Sequence, residues 1–368
     1  MSPATATRGQ SMQLGAILLF GFLVVGFTTA QATFVPAAVA DAELDHSQQV
    51  ADQLVELSTA VSATRSSGTP RPTTVTLGAD YQPMPLFVYP PPGVGTLETT
   101  ATRTATIENA ASVTEPHSVE AYWNGSTRTY ATRAISYRPR YRELDGTPSY
   151  RIEHGLLVTN YSGTTEIDIA AGRDPIIDGT AISLPLMAGN RRATGRGEEP
   201  LVVERVTDAT TITVTNDGGP IRLRLPTTLS AATWREQLVG DESTVTSVTR
   251  SGGDVIVTLA TSETYEITIH RIVAGTDASD PDPAYLRNTT ATDWDYPFDV
   301  RNRYNDRLET PVTVWAYTEG NFATPNATVT IPTDPLPGLT GAVCYTIQRG
   351  VTAATRPETY GSPTGSCQ

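Results

Sequence analysis

The stretch LGAILLFGFLVVGF, Leu14 to Phe27, holds only apolar residues and glycine, and it sits inside a longer run, Gly9 to Ala40, that has no charged side chain. As a helix the longer run would reach roughly 48 Å at 1.5 Å per residue, more than the ~30 Å hydrocarbon core of a bilayer requires. It can span a membrane. Arg8 is the only charged side chain before the run, and Asp41, Glu43 and Asp45 follow it. The positive-inside rule therefore puts residues 1–9 in the cytoplasm and the bulk of the chain outside. Further on, Val50, Leu54, Leu57 and Val61 fall on one helical face of the segment Asp41 to Ala63, with Asp45, Gln49 and Glu56 elsewhere. The spacing predicts a transmembrane helix that continues into an amphipathic stalk over residues 10–63, kinked at Pro36.

Processing has more than one reading. A secretory signal needs a small-x-small site after its apolar core, and Ala30-Gln31-Ala32 or Ala38-Val39-Ala40 would serve. Alternatively, the basic and small residues Arg8-Gly9-Gln10 stand ahead of the hydrophobic stretch. With that leader the N-terminus resembles archaeal type IV pilin-like proteins and archaellins. The resemblance covers about the first 60 residues. It implies that a prepilin-type peptidase cuts between Gly9 and Gln10, that Arg8, Gly9 and Gln10 are the processing residues, and that the helix stays on the mature protein and leads into a β-rich head. Many pilins have an acidic residue early in the mature helix, where this chain has Gln13 and Leu14.

Of the 368 residues, 26 are basic and all of these are Arg, against 39 acidic ones, for a net charge of -13. Thr is unusually abundant, at about one residue in six. The acid excess argues against nucleic acid or an anionic membrane surface as the main partner, because both are bound through clustered positive charge. Without Lys there is no Schiff base, no Ser-Lys dyad and no Walker A lysine. Carboxylates and Thr hydroxyls hold water and hydrated cations, and concentrated salt screens the self-repulsion. This composition resembles that of haloarchaeal surface proteins sharing such N-termini.

Residues 64–75 (TRSSGTPRPTTV) have no apolar period and read as a linker. Strands follow over 76–276. Ile212 and Val214 alternate with Thr up to Asn216-Asp217-Gly218-Gly219, and Ile221, Leu223 and Leu225 alternate back, which is a hairpin signal. Ser251-Gly252-Gly253-Asp254 and Asp145-Gly146 separate two further pairs of strand-like runs. One helix is predicted, with Ser230 as N-cap, Trp234 and Leu238 one turn apart and Gly240 as the stop. The Asp-rich segment 277–297 reads as an acidic linker, and 298–368 as a small module of short strands that faintly resembles immunoglobulin-like modules of surface proteins. The expected fold is mainly β: a transmembrane helix and stalk, antiparallel β-sandwich-like domains with one short helix, and a C-terminal immunoglobulin-like module.

Candidates for chemistry are few. Cys344 and Cys367 fall outside the membrane, where an oxidising exterior favours a disulfide worth ~3 kcal/mol by loop entropy. The sequons at Asn124, Asn160, Asn288 and Asn326 are glycosylation candidates. The acid cluster of 277–299 lacks the spacing of an EF-hand loop and reads as a solvated linker. His46, His117, His154 and His270 are scattered, His46 on the stalk and His270 alternating with Glu266 and Thr268 on the polar face of a strand; none forms a zinc spacing. Tyr137 and Tyr141 alternate with Arg138, Arg140 and Arg142, as in a strand with Tyr inward and Arg paired to acids.

The expectation is a membrane-anchored extracellular protein with no catalysis and no cofactor. It would be structural or adhesive, and partnered by the membrane through its helix and by pilin-like or envelope proteins. The runner-up is a secreted or anchored carbohydrate-binding or carbohydrate-active protein. Salt adaptation predicts that the circular dichroism spectrum collapses on dialysis from molar to millimolar salt; an unchanged spectrum would contradict it.

Overall fold

The computed structural model describes the backbone of residues 7–113, 123–161, 167–171, 174–275, 285–288, 298–301, 303–304, 310–316, 327–331, 345–349 and 358–360, and the side chains of 13–113, 123–161, 174–275 and 303–304. Helix α1 (Thr7–Ser67) is a single element of 61 residues that runs on through Pro36. Its two halves meet different surroundings. Over Leu14 to Phe27 the large apolar side chains lie exposed, Phe22 to 74%. From Val35 onward, positions 35, 39, 43, 46, 50, 54, 57, 61 and 64 are buried, in steps of three and four that draw one stripe along the helix. The expected amphipathic stalk is built into the β domain, where it packs on strands Arg71–Thr76 and Glu198–Arg205.

The helix ends where Gly68, at φ 72°, donates its N–H to the carbonyl of Thr64. This left-handed turn suits glycine, and a Cβ there would meet the guanidinium of Arg205. Residues 64–75 are therefore the last turn of α1, a reversal and most of strand Arg71–Thr76, in place of the expected linker. That strand pairs antiparallel along its whole length with Glu198–Arg205, from Arg71 opposite Val203 to Thr76 opposite Glu198.

Among the described residues strand outweighs helix, 41% against 26%, so the fold is mainly β. A seven-stranded sheet contains Arg71–Thr76, Glu198–Arg205, Tyr265–Ala274, Ala181–Ala188, Ile177–Asp178, Ile212–Asn216 and Ala110–Ser112. A six-stranded sheet runs from Arg192–Gly195 through Val94–Thr99, Ile135–Arg140, Ser149–Glu153 and Leu156–Asn160 to Ile167–Ala171. A five-stranded sheet orders Val245–Ser251, Asp254–Leu259, Arg222–Pro226, Arg103–Glu108 and Arg128–Thr132. Against the antiparallel expectation, Ala181–Ala188 and Tyr265–Ala274 pair in parallel.

Two hydrophobic cores lie on opposite faces of that parallel pair. Tyr265, Ile267 and Ile269 enter the first core with Leu223, Leu225, Val255 and Val257 of the five-stranded sheet. Ile272 and Ala274, of opposite parity on the same strand, enter the second core. There they meet Val50, Leu54, Leu57 and Val61 of α1 and Leu97, Tyr137 and Ile152 of the six-stranded sheet. Helix α2 (Ala231–Leu238) closes the first core with Trp234 and Leu238, and Ser230 caps it by accepting from the Thr233 N–H.

Some local expectations change partners. Ser251 and Asp254 do close a hairpin through Gly252-Gly253. Asn216-Asp217-Gly218-Gly219, in contrast, closes none: Ile212–Asn216 pairs with Tyr265–Ala274, and Arg222–Pro226 with Asp254–Leu259 and Arg103–Glu108. The turn moves the chain from one sheet to another, and Asn109, at φ 61°, makes the same passage from Arg103–Glu108 to Ala110–Ser112 beside it. The two crossings brace each other, because Asp217 N–H donates to the Asn109 carbonyl (2.9 Å) and Asn109 Nδ2 donates to the Pro220 carbonyl (2.9 Å).

Strands Tyr285–Asn288 and Phe298–Arg301 pair antiparallel, so the expected acidic linker contains a strand. Thr310–Ala316 pairs with Ala327–Ile331 and Tyr345–Arg349, and the latter with Glu358–Tyr360. Tyr304 is buried and stacks at a tilt against Tyr130, with ring centroids 5.8 Å apart.

If α1 is part of the core, Leu57→Ala will lower unfolding free energy by about 2–5 kcal/mol. Leu44→Ala, on the exposed face of the same helix, will change it by no more than ~0.5 kcal/mol. Denaturant titrations of both variants in high salt check the contrast, and equal effects would contradict it.

Candidate functional site

The most structured polar site lies where α1 enters the β domain. Glu43 has no exposed surface. Its Oε1 accepts from the Tyr81 hydroxyl (2.5 Å) and the Arg142 N–H (2.6 Å), and its Oε2 from the N–H groups of Glu143 (2.8 Å) and Leu144 (2.9 Å). Burial pushes the Glu43 carboxyl up, but these four hydrogen bonds together pull it further down, and it lies below the ordinary carboxylate value. The Tyr81 oxygen in turn accepts from the Gly93 N–H (2.9 Å). Burial and the hydrogen bond to Glu43 push the Tyr81 phenol up, so it stays a donor.

One turn further along α1, His46 bridges Tyr141 and strand Arg71–Thr76. Its Nε2 lies 3.2 Å from the Thr76 carbonyl, which can only accept, so Nε2 carries the proton and Nδ1 accepts from the Tyr141 hydroxyl at 2.5 Å. Burial lowers the His46 pKa, against the Thr76 bond and the charges of Asp80 and Glu43. Next, Gln53 donates to Thr76 Oγ1 (3.1 Å) and accepts from its N–H (2.7 Å), and buried Ser58 donates to the Gly155 carbonyl (2.7 Å). Gly155 belongs to the tight turn His154-Gly155, whose positive φ values of 54° and 84° fit a two-residue hairpin.

Glu153, beside that turn, is the other carboxylate with almost no exposure among the described residues. It accepts from the Thr227 hydroxyl (2.5 Å), the Thr228 N–H and hydroxyl, and Arg151 (2.8 Å). Burial raises it, but the charge of His154, the Thr227 hydroxyl and Arg151 lower it more. His270 is buried, not on a polar face: its Nε2 pairs with the Ser183 hydroxyl at 2.9 Å. Burial, then Arg65 and Arg205, bring its pKa to about 4, so it is neutral at pH 7.

Over the entry point opens a cleft of about 730 Å³ between α1 and the segments 76–89 and 196–198. Asp41, Asp45, Asp80 and Glu198 line it with Tyr89, and Arg196 reaches Asp80 at 3.6 Å. All four carboxylates are exposed. A general acid needs a desolvated carboxyl held protonated, whereas the buried carboxylates here are held ionised by hydrogen bonds. Among the described residues no group of three His, Cys, Asp or Glu side chains could hold a metal ion.

Among the described residues, those singled out from sequence do not converge. Arg8, Gly9 and Gln10 lie in the first turns of α1, known here by backbone only. Asn124 is exposed, its Oδ1 accepting from Ser126 N–H and Arg128, and Asn160 is exposed at a strand end. Asn288 closes strand Tyr285–Asn288, while His117, Asn326, Cys344 and Cys367 lie outside the described residues. Tyr137 is buried and Arg138 and Arg140 are exposed, and Arg138 pairs with Glu98. Glu153 escaped the sequence reading, which named Glu43 only as a charge after the apolar run and His46 only as a residue of the stalk. Extending the stripe of Val50, Leu54 and Leu57 back along α1 reaches His46 and Glu43, the signal that could have found both. No family model, curated protein or solved structure matches this chain.

Glu43→Gln will place an amide NH₂ against N–H donors in either orientation, at a cost on the order of 2–4 kcal/mol at neutral pH. The folded pKa of Glu43 is below its unfolded value, so its contribution is complete above about pH 4.5 and fades as pH falls. The stability gap between wild type and variant should be constant from pH 6 to 8 and shrink below about pH 4.5; a pH-independent gap in denaturant titrations would contradict this.

Proposed function

We propose that this chain is a membrane-anchored extracellular surface protein, pilin-like or minor-pilin-like, with a structural or adhesive role and no catalysis. One observation supports it above the others: α1 leaves the apolar side chains of Leu14 to Phe27 exposed, and its second half is part of the domain's core. A helix of that kind ties a head rigidly to whatever receives its apolar end. By length and composition it is fit to cross a membrane.

The proposal keeps the helix on the mature protein. The small-x-small sites Ala30-Gln31-Ala32 and Ala38-Val39-Ala40 both lie within α1, and a cut at the first would lose the bonds of Gln31 to Val88, while a cut at the second would also remove the buried Val35 and Val39. The proposal keeps Arg8, Gly9 and Gln10 as the processing residues, with the N-terminus inside. It reads the sheets around the first core as a β-sandwich and residues 298–368 as an immunoglobulin-like module. It also keeps a haloarchaeal, salt-adapted setting, a Cys344–Cys367 disulfide, and glycan at one or more of Asn124, Asn160, Asn288 and Asn326. The cleft favours a second reading, carbohydrate binding, over carbohydrate hydrolysis, because its carboxylates are solvated.

The intact mass of the native protein tests the proposal. A mature start at Gln10 is expected; a start near Thr33 or Asp41 would mean a cleaved secretory signal and would overturn the anchored reading.

A further inference from the structure

Between Asp80 and Glu98 the chain has no charged side chain, in a protein that is 18% charged. The middle of this stretch, QPMPLFVYPPP from Gln82 to Pro92, lies along α1. The Phe87 ring stacks on Phe27 with centroids 5.5 Å apart and planes 20° apart. Gln31 then clasps the backbone of Val88: its Nε2 donates to the Val88 carbonyl (2.6 Å) and its Oε1 accepts from the Val88 N–H (3.0 Å). Held this way, the loop turns its apolar side chains outward. Met84 is 41% exposed, Val88 76% and Leu86 86%, and Leu86 sits at φ 75°, a strained angle for a residue with a branched side chain.

Position along the helix gives this patch its meaning. Leu14 to Phe27 supplies only about 21 Å of apolar helix, and a ~30 Å core takes about 20 residues, which from Leu14 ends near Thr33. The loop meets α1 at Phe27 and Gln31, inside that count. Its backbone also suits a poorly hydrated setting. Pro83, Pro85, Pro90, Pro91 and Pro92 have no N–H to satisfy, the Val88 N–H is held by Gln31, and the Phe87 N–H donates to the Met84 carbonyl.

We propose that Met84–Tyr89 is a second membrane contact, inserted at the boundary of acyl chains and headgroups in the outer leaflet beside α1. The proposal rests on the reading that α1 spans the membrane. The occupant is lipid because the exposed side chains of Leu86 and Val88 continue the apolar surface of Leu14 to Phe27 and residues 81–97 have no charged side chain of their own, while Met84 and Tyr89 border the cleft whose carboxylates face solvent. Such a contact would seat the head directly on the bilayer and fix the rotation of the helix.

Photocrosslinking of the full chain in phosphatidylcholine vesicles in molar salt tests it, with one lipid bearing a diazirine near the headgroup and another at the acyl-chain end. Adducts on residues 84–89 are expected from the first lipid, and on 14–27 from both. A Leu86→Asp, Val88→Asp double variant, altered only at exposed positions, should lose the loop adducts and keep those on the helix. Helix adducts without loop adducts would overturn the proposal, as would crosslinks joining 84–89 of two copies, which would mark a protein interface. Absence of adducts on 14–27 would instead overturn the membrane-spanning reading beneath it.

Discussion

The fold depends on the burial of one face of α1 between two sheets. Val50, Leu54, Leu57 and Val61 are each fully or almost fully removed from solvent in the second core. At about 1.5–3 kcal/mol per buried aliphatic side chain, the four together rival the ~5–15 kcal/mol net stability of a typical domain. The β domain cannot release the helix and keep that core. An element whose first half is fit for a bilayer is therefore a structural member of the head, and the junction between them is a continuous helix.

The polar contacts make that junction specific. Apolar burial alone would tolerate rotation or sliding of α1, because it is non-directional. Glu43, His46, Gln53 and Ser58 lie along the helix and bond, in order, to the loop 142–144, to Tyr141 and Thr76, to Thr76 again, and to the turn at Gly155. Each bond fixes height and rotation against a different part of the head. Buried groups partnered in this way set geometry.

The apolar run, the periodic stripe, helix α2 and the Gly252-Gly253 hairpin were legible because each is a local pattern with a local physical cause. What was misread depended on packing at a distance. Asn216-Asp217-Gly218-Gly219 specifies a reversal, but Val214 and Leu223 both serve the first core from different sheets, so the chain crosses between sheets there. His270 alternates with Glu266 and Thr268 as on a polar face, yet the second core begins at Ile272 and both faces of the strand are buried by then. Residues 64–75 look like a linker by composition, but their Thr and Val form a strand once Glu198–Arg205 lies beside them. The site at Glu43 stayed hidden because a carboxylate on a helix reads as solvated until the loop 142–144 places three N–H groups around it.

Hydrogen exchange of the full chain in vesicles measures the central claim most directly. If one helix is shared by bilayer and head, amides from Leu14 to Thr64 will be protected without a break, and those of Asp41 to Thr64 will open only with global unfolding. Fast exchange across residues 33–48, with the rest of the head protected, would show a hinge between membrane and head and would contradict the account.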